Sequence, residues 1–259
     1  MQVSDPEHSA SNENRSDAYG SDLAYIHDVG FGDHARFAAD YFVEQLRMSG
    51  HSCGKFVDLG CGSGILAKTM SDHGYEVLGI DLSSSLLAIA RERVPKAEFR
   101  LASCFDSDLP ACIGVSAIGE CFNYLFDDSN SPESFRAVLH RAYAALLPSG
   151  LLLFDVAEPG RNAGLANRQV HRTGADWAVL VDSVEDREQM TLTRSIHTFR
   201  QIGEHYRRGF EQHILRLMPR AEVASMLKEI GFQVKLLDRY GEQPFPVGVV
   251  GILAQKAQA

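Results

Sequence analysis

One stretch, FVDLGCGSG at residues 56–64, constrains the fold more than any other part of this chain. An apolar strand carrying Asp58 near its end runs into three glycines spaced by two, and residues 65–70 then read as a helix. Glycine has no side chain, so such a loop can turn sharply with positive φ and bring backbone N–H groups at a helix start against a ligand. The stretch therefore predicts a parallel α/β sheet that binds a nucleotide-like ligand at its edge.

Residue types decide between three kinds of glycine-rich loop. A phosphate-binding P-loop needs Gly-Lys-Ser/Thr, and Lys68 comes too late for it. A dinucleotide-binding G-x-G-x-x-G loop would place its third glycine at Ile65, where a helix packs too closely on a strand to leave room for a side chain. The remaining pattern, G-x-G-x-G after an acid, resembles the first motif of the class I S-adenosylmethionine-dependent methyltransferases, the alternative being a chance glycine-rich turn. The resemblance implies S-adenosyl-L-methionine as the cofactor, bound at Asp58, Gly60, Cys61 and Gly62.

A second acid follows one β-α unit later. Residues 76–80 read as a short buried strand, Asp81 stands at its end, and residues 83–85 offer a helix N-cap. An acid in this position can accept both hydroxyls of a ribose, whereas in a purely structural role it would be a second cap. We expect Asp81 and the adjoining Leu82 to contact the cofactor.

The third and fourth strands depart in part from the resembling family. The third strand ends at Ser103 and Cys104, where that family often carries an Asp that binds the adenine amino group. Here the contact could pass to backbone, to Asp106 or to water. After the fourth strand, Gly119 would let the backbone approach the amino-acid end of the cofactor. We expect Ser103, Cys104 and Gly119 to line the cofactor site.

Three polar residues follow the fourth and fifth strands, at the carboxyl edge where open α/β sheets bind ligands. Glu120 and Asn123 come after the fourth strand, and Asp155 ends the fifth. We expect all three to face the substrate. Two alternatives stay open, because Asn123 could cap the next turn and Asp155 could hold its loop through Arg161.

The segment before the first strand is a candidate lid. In the resembling family an N-terminal segment folds over the cofactor and often lends an aromatic side chain, for which Tyr25 is our candidate. His27 and His34 would then be neighbours in the pocket. In the alternative, Tyr25 packs in the core and both histidines face solvent. Residues 22–32 read as a loop, and an amphipathic helix follows.

A Gly/Pro/Asn-rich loop at residues 158–169 breaks the β-α rhythm, and long strands joined by short turns follow it. They predict an antiparallel sheet inserted before the last helix. This arrangement resembles the substrate-covering sheet of the sugar N-methyltransferases and the glycine-type N-methyltransferases.

Three charged or titratable residues of one inserted strand share a face. Arg207, Glu211 and His213 are spaced by two or four residues, and such positions point the same way in a strand. We expect this face to meet the substrate together with Arg194 or His197 of the neighbouring strand, the alternative being a solvated charged surface. His213 is the candidate general base because its unperturbed pKa lies near neutrality, and Glu211 would orient it.

The predicted fold class is α/β, with a Rossmann-like seven-stranded methyltransferase sheet, helices on both of its faces and the inserted antiparallel sheet. A chain of 259 residues with 45% hydrophobic content can bury the core of such a domain. The expected divisions are a disordered tail at 1–21, a lid and helix at 22–50, the S-adenosylmethionine-binding core at 51–165, the inserted sheet at 166–218, and the last helix and strands at 219–259.

The composition of the chain limits the classes of partner that we expect it to bind. The net charge of −9 disfavours a nucleic-acid footprint. No apolar run approaches the length of a membrane span, and the polar, acidic N-terminal residues do not read as a signal peptide, so we expect a cytoplasmic protein without membrane contact. The five cysteines are odd in number and form no C-x-x-C pair, which argues against disulfide frameworks and thiolate metal sites, and no metal is expected.

The expected activity is methyl transfer from S-adenosylmethionine to a nitrogen or oxygen nucleophile of a small molecule by in-line displacement. The sequence does not distinguish the two acceptor atoms, nor does it exclude carbon. An NAD-type oxidoreductase and a non-catalytic cofactor-binding member of the same fold are the alternatives. The edges of the inserted strands could also pair two copies into a homodimer.

Overall fold

A computed structural model describes residues 18–165 and 167–258, so the predicted tail falls outside the described part except at its C-terminal end. The helices of this part are α1 (Ser21–Gly30), α2 (Asp33–Met48), α3 (Ile65–Asp72), α4 (Ser84–Arg93), α5 (Pro132–Ala145) and α6 (Arg220–Ile230). The strands are β1 (Gly54–Leu59), β2 (Tyr75–Asp81), β3 (Glu98–Leu101), β4 (Cys112–Ala117), β5 (Leu146–Ala157), β6 (Asn167–Thr173), β7 (Trp177–Asp186), β8 (Thr191–Ile202), β9 (His205–Arg216), β10 (Phe232–Leu237), β11 (Arg239–Tyr240), β12 (Gln243–Pro244) and β13 (Val249–Lys256).

Within the described residues, seven strands form a central sheet in the order β10-β13-β5-β4-β1-β2-β3. Strands β1 to β5 run parallel, and β13 and β10 extend the sheet antiparallel at one edge. The strand order reverses between β1 and β4, and the carboxyl ends at such a switch point are where α/β sheets bind ligands. The glycine-rich loop follows β1 and Gly119 follows β4, so both lie at this point.

Helices cover both faces of the central sheet. On one face, α5 and α6 contribute Phe135 and Leu227 to a cluster that includes Val57 of β1. On the other face, α2 and α3 contribute Phe42 and Met70. Of these side chains Phe135 is the most exposed, at 4%, so apolar burial holds the layers together. The predicted fold class is confirmed.

The inserted sheet contains β6, β7, β8 and β9 in that order, all antiparallel, and lies between β5 and α6 in the chain. One face packs on α1 through Trp177, Val179 and Ile196. A bridge between Tyr124 and Leu215 joins the sheet to the loop after β4. These contacts set the inserted sheet against the carboxyl edge of the central sheet.

Two segments that the sequence predicts as loops contain regular structure. Helix α1 replaces the loop predicted at residues 22–32, because Leu23 and Ile26 pack against Trp177 of the inserted sheet. The loop predicted at residues 158–169 ends early, since β6 begins before its last residue and pairs with β7. In both cases, partners far along the chain stabilise structure that local glycines and polar residues disfavour.

No helix among the described residues has both the length and the apolar character of a membrane span. The same part of the chain contains no group of three or more His, Cys, Asp or Glu side chains placed to hold a metal ion. Its cysteines are free thiols.

Candidate active site

A cavity at the switch point, here called the loop cavity, opens between the ends of β1, β2 and β4. Of the residues predicted to bind the cofactor, Gly60, Gly62, Asp81, Leu82, Cys104 and Gly119 line it. It is also lined by Tyr19, His27, Ile80, Leu86, Ala102, Ile118, Cys121, Tyr124, Phe126 and Asp127. Backbone, carboxylates and aromatic rings therefore meet in one space.

Two glycines give this cavity its open backbone. Gly62 has a φ of 54° and Gly119 a φ of 97°. A Cβ built on either would meet no heavy atom within 4 Å, so a side chain there would project into open space. A ligand in the loop cavity can therefore approach the main chain at both positions.

Asp81 is fixed by the loop it faces. Its Oδ2 accepts the N–H of Gly62 at 2.8 Å and its Oδ1 accepts the N–H of Ser83 at 2.8 Å. Burial raises the pKa of this carboxyl, and the backbone donors of Ser83 and Gly62 act to lower it. A carboxylate has about four lone-pair sites, so Asp81 keeps acceptor capacity for the hydroxyls of a ligand.

Asp58 and Cys61 do not line the loop cavity, contrary to the expectation of direct contact. Asp58 is 2% exposed beneath the glycine loop and accepts the hydroxyl of Ser116 at 2.6 Å. Burial raises the pKa of Asp58 to about 7. The hydrogen bond from Ser116 acts to lower this pKa, and the charge of Asp81 acts to raise it further. Cys61 is buried as well, at 7% exposed. Both side chains are buried beside the cavity, Asp58 within β1 and Cys61 in the turn that follows this strand.

Ser103 also stands back from the cavity. Its hydroxyl donates to Asp127 Oδ2 at 2.7 Å, and Asp127 itself lines the cavity. Of the alternatives considered, Asp106 is occupied by the hydroxyl of Ser129. Asp127 is therefore the carboxylate on this wall, and the sequence analysis missed it because it lies in a loop beyond the predicted strand ends.

The aromatic side chain that the N-terminal segment contributes to the loop cavity is Tyr19, which corrects the prediction of Tyr25. The Tyr25 hydroxyl donates to Asp176 at 2.9 Å, and the Arg200 guanidinium lies 3.8 Å above its ring, away from the cavity. Tyr19 places its hydroxyl 3.1 Å from that of Tyr124. Helix α1 turns Tyr25 outward, and the residues before the helix carry Tyr19 over the site.

Residues Tyr19 and Gly20 form a short strap, held from two sides. Their backbone N–H groups donate to Glu211 at 2.8 and 3.0 Å. The Tyr19 carbonyl accepts the hydroxyl of Ser83 at 3.0 Å. The strap thus connects the inserted sheet to the start of α4 across the loop cavity.

A second cavity of about 540 Å³, here called the sheet cavity, lies under the inserted sheet. The charged and titratable residues that line it include Glu120, Asp155, Arg161, Arg168, Arg172, Arg194 and His213. It shares Tyr19, His27, Gly119 and Tyr124 with the loop cavity. The two cavities therefore meet, and a ligand in one can contact a ligand in the other.

His213 lies in the sheet cavity at 2% exposure, and Glu211 orients it. Its Nε2 is 2.9 Å from Glu211 Oε2, while its Nδ1 is shielded from solvent and has no hydrogen-bond partner in the described residues. The rings of Tyr19 and Tyr124 stand 5.0 and 5.7 Å from the imidazole. With Nε2–H directed at the carboxylate, Nδ1 presents a lone pair.

Glu120 is paired rather than free to bind a ligand. Arg161 Nε and Arg194 Nη2 each donate to it at 2.7 Å. Burial acts to raise its pKa, but the two guanidinium groups outweigh burial and hold the pKa at about 2. Glu120 therefore stays ionised and fixes two arginines in the wall of the sheet cavity.

Asp155 anchors the turn after β4. It is 0% exposed, and its Oδ1 accepts the N–H groups of Gly119 and Glu120 at 3.0 and 2.6 Å. Its Oδ2 accepts from Tyr240 and contacts His34 Nε2 at 2.8 Å. Burial acts to lower the pKa of His34, but the hydrogen bond and charge of Asp155 outweigh it and raise that pKa. The predicted alternative of an Asp155 contact with Arg161 is wrong, because Arg161 pairs with Glu120.

Two residues predicted to contact substrate lie outside the sheet cavity. Asn123 is 0% exposed and holds the backbone of Ala157 and Arg216 by side-chain hydrogen bonds. Arg207 pairs with Asp22 at 2.5 Å, and its side chain is 52% exposed. Asn123 therefore joins β5 to β9, and Arg207 joins β9 to α1 at the surface.

His27 lies where the two cavities meet. Burial lowers its pKa to about 4, with Asp28 opposing this effect and His213 adding to it. Its Nδ1 is shielded from solvent and unpaired among the described residues. A neutral imidazole therefore faces the junction of the cavities, as the sequence analysis expected of a pocket neighbour.

Comparison with known proteins identifies relatives of this chain. Residues 56–150 match a family model described as a methyltransferase domain. Over 209 residues the chain is 28% identical to YqeM of Bacillus subtilis, which is named a methyltransferase on a provisional basis. That match covers 75% of this chain and 80% of YqeM.

Solved structures superpose on most of this chain. An S-adenosylmethionine-dependent methyltransferase from Clostridium acetobutylicum superposes with a TM-score of 0.77 at 16% identity, covering 91% of this chain and 98% of that one. A sugar N-methyltransferase from a Streptoalloteichus species superposes with a TM-score of 0.74 at 17% identity, covering 100% of both chains. At these identities the likeness concerns the fold alone. These matches give no support to the alternative of an NAD-type oxidoreductase.

Proposed function

We propose that this chain, an S-adenosylmethionine-dependent methyltransferase by its methyltransferase domain and its fold, methylates an O–H or N–H group of a small molecule held in the sheet cavity. Bound S-adenosylmethionine supplies an electrophilic methyl group on a sulfonium sulfur. In this proposal the loop cavity holds that cofactor and the adjoining sheet cavity holds the acceptor.

The residues of the loop cavity fit such a cofactor. Asp81 would accept the ribose hydroxyls, since it keeps unused lone pairs at the end of β2. Gly62 and Gly119 leave space that a Cβ would fill, so the main chain can approach the cofactor at both. Asp127 offers an acceptor for the adenine amino group on the wall where Ser103 was expected.

The proposal that the sheet cavity holds the methyl acceptor rests on one observation, the unpaired Nδ1 of His213. A buried polar atom without a partner destabilises a fold by about 1 to 3 kcal/mol, so a ligand that supplies the missing donor binds favourably. His213 lies in the sheet cavity next to Tyr19 and Tyr124, which also line the loop cavity. A nucleophile carrying a proton can therefore donate to His213 while it faces the cofactor.

The chemistry then needs little from the protein beyond position and a proton acceptor. S-adenosylmethionine held by Asp81, Gly62 and Gly119 would supply the methyl group to the lone pair of the acceptor, and the electrons of its carbon–sulfur bond would stay on the sulfur of the thioether product. The proton of the nucleophile passes to His213 Nδ1. The resulting imidazolium is stabilised by Glu211, which holds Nε2 at 2.9 Å.

The test is a methyl-transfer assay with isotopically labelled cofactor and a panel of phenols, alcohols, amines and carbon nucleophiles such as activated methylene compounds. We expect labelled product with at least one class of acceptor and a fall in kcat of about 10²-fold or more in His213→Gln. His197→Gln is the matched control, because His197 lies on the opposite face of the inserted sheet and lines neither cavity. Unchanged kcat in His213→Gln would overturn the base role, and product from carbon acceptors alone would overturn the acceptor class.

A further inference from the structure

One cross-strand row of the inserted sheet runs the length of the sheet cavity. Strand register pairs Arg168 with Ser183, Ser183 with Arg194, and Arg194 with His213. All four residues line the sheet cavity. Neighbouring strands lie about 4.8 Å apart, so the two ends of the row are roughly 14 Å apart.

The next row gives the cavity an apolar floor. Val170 pairs with Val181 and Val181 pairs with Ile196, and all three line the cavity. Val179, which pairs with Arg172, continues this surface. The space between His213 and β6 therefore suits an apolar body rather than a uniformly polar one.

The two ends of the cavity differ in charge. Near His213, Arg194 and Arg161 both pair with Glu120, and Glu211 adds a second carboxylate beside the imidazole. At the β6 end, the side chain of Arg168 makes no hydrogen bond or ion pair within residues 18–165 and 167–258, although the residue is partly buried.

Arg172 also lacks a carboxylate partner in that part of the chain. Its Nη1 donates to the Gly30 carbonyl at 2.9 Å, and its guanidinium lies 4.7 Å from the ring centroid of Phe31. Two uncompensated guanidinium groups thus face a cavity in a chain whose net charge is −9. Such a pair favours an anionic ligand, since Arg presents a planar fork that matches carboxylate and phosphate oxygens.

We infer that the methyl acceptor is an elongated molecule whose end farthest from His213 carries a carboxylate or phosphate. Arg168 binds this anionic group, and Arg172 adds to the positive electrostatic potential around it. The methylated atom lies at the His213 end and the body rests on Val170, Val181 and Ile196. This inference rests on the proposed function, since it specifies the acceptor of the same site.

The test uses small aromatic probes in matched charged and neutral pairs. Phenyl phosphate is compared with phenol, and 3-phenylpropionate with 3-phenylpropionamide, by calorimetric titration of the full chain with and without S-adenosylhomocysteine. We expect the anionic member of at least one pair to bind tenfold or more tightly than the neutral one. The probe pair that shows the larger preference for its anionic member indicates whether the methyl acceptor carries a phosphate or a carboxylate.

Variants of Arg168 test whether this side chain is the one that binds the anionic probe. Arg168→Gln should lose at least tenfold in affinity for the anionic probe, and Arg168→Lys should keep part of it. Arg208→Gln is the matched control, because Arg208 lies on the outer face of the same sheet and should leave the affinity unchanged. Unchanged thermal unfolding of Arg168→Gln checks that the variant is folded.

Equal binding of charged and neutral probes, or unchanged anion affinity in Arg168→Gln, would overturn the inference. Failure of all probes to bind would overturn it as well. The proposed function is tested separately, by the binding of S-adenosylhomocysteine and by methyl transfer to neutral acceptors. It can therefore hold even if the anion site does not exist.

Discussion

The carboxylate of Glu211 lies 2.9 Å from His213 Nε2 and accepts the backbone N–H groups of Tyr19 and Gly20 at the same time. One side chain therefore both orients the candidate base and fastens the strap over the loop cavity. The two functions are coupled, because loss of the Glu211 charge weakens both.

This coupling predicts different defects for Glu211→Ala and His213→Ala. Glu211→Ala should weaken S-adenosylhomocysteine binding about tenfold, since the strap loses two charge-assisted hydrogen bonds, and should also lower kcat. His213→Ala should lower kcat and leave the binding of S-adenosylhomocysteine nearly unchanged. Calorimetric titration and steady-state kinetics separate these effects, and equal cofactor affinity in the two variants would show that the strap does not depend on Glu211.

Tyr19 and Tyr25 form a matched pair for testing which aromatic side chain covers the cofactor. Tyr19→Ala should lower the affinity for S-adenosylhomocysteine, because the ring lines the loop cavity. Tyr25→Ala should leave that affinity unchanged and lower stability only, since it removes the contacts with Asp176 and Arg200. The reverse pattern in titration and thermal unfolding would restore the prediction made from sequence.

That prediction failed for a physical reason. The sequence around Tyr25 contains glycines and polar residues that read as a loop, but α1 forms there because its apolar side chains pack on the inserted sheet. Tyr19 is positioned by Glu211, which is 192 residues away in the sequence. A single sequence does not reveal such long-range partners, and the only local signal was an aromatic residue next to Gly20.

The glycine loop and Asp81 could be predicted because their chemistry is local. Glycine spacing, a strand ending in an acid and a helix N-cap are readable within about 30 residues of one another. The pairing of Glu120 with Arg161 and Arg194 was not predictable in this way, since three separate segments supply it. The role of Arg207 was misjudged because strand parity gives a face and not a partner. The role of Asn123 was misjudged because its position after a strand does not show that its side chain holds the backbone of Ala157 and Arg216.

Gly62 provides a test of the open backbone. Gly62→Ala should weaken S-adenosylhomocysteine binding roughly tenfold or more, because the added Cβ projects into the loop cavity. Gly203→Ala is the control, since Gly203 has a φ of 62° and open space around it, but lies in the turn between β8 and β9. Both changes should destabilise the fold by about 1 kcal/mol through the left-handed backbone, and only the first should affect binding. Equal affinities in the two variants would argue against cofactor contact at Gly62.

Acid should remove stability in two stages, at His27 and at Glu120, whereas Asp58 opposes the first stage because burial raises its pKa from 3.8 to about 7. Burial lowers the pKa of His27 from 6.5 to about 4, so the folded state loses stability as the pH falls from 6.5 to 4. Burial acts to raise the pKa of Glu120, but Arg194 and Arg161 outweigh it and lower this pKa from 4.5 to about 2. A further contribution to the stability of the folded state is therefore lost as the pH falls from 4.5 to about 2.

Urea unfolding at a series of pH values checks both stages. His27→Gln should remove the first stage. Glu120→Gln should remove the second stage and should also lower stability at pH 7 by about 3 to 5 kcal/mol, because two arginines are left without their counterion. Parallel stability curves for the parent chain and His27→Gln between pH 6.5 and 4 would show that His27 is not buried as a neutral group.

The loop cavity should bind S-adenosylmethionine through Asp81, a claim that calorimetric titration can test. Both S-adenosylmethionine and S-adenosylhomocysteine should bind the parent chain, and Asp81→Ala should weaken both by about 10²-fold, since a charged hydrogen-bond acceptor is lost. Asp106→Ala, which removes a nearby acid outside the cavity, should bind like the parent. Absence of binding to the parent chain, or equal binding by Asp81→Ala, would contradict the claim.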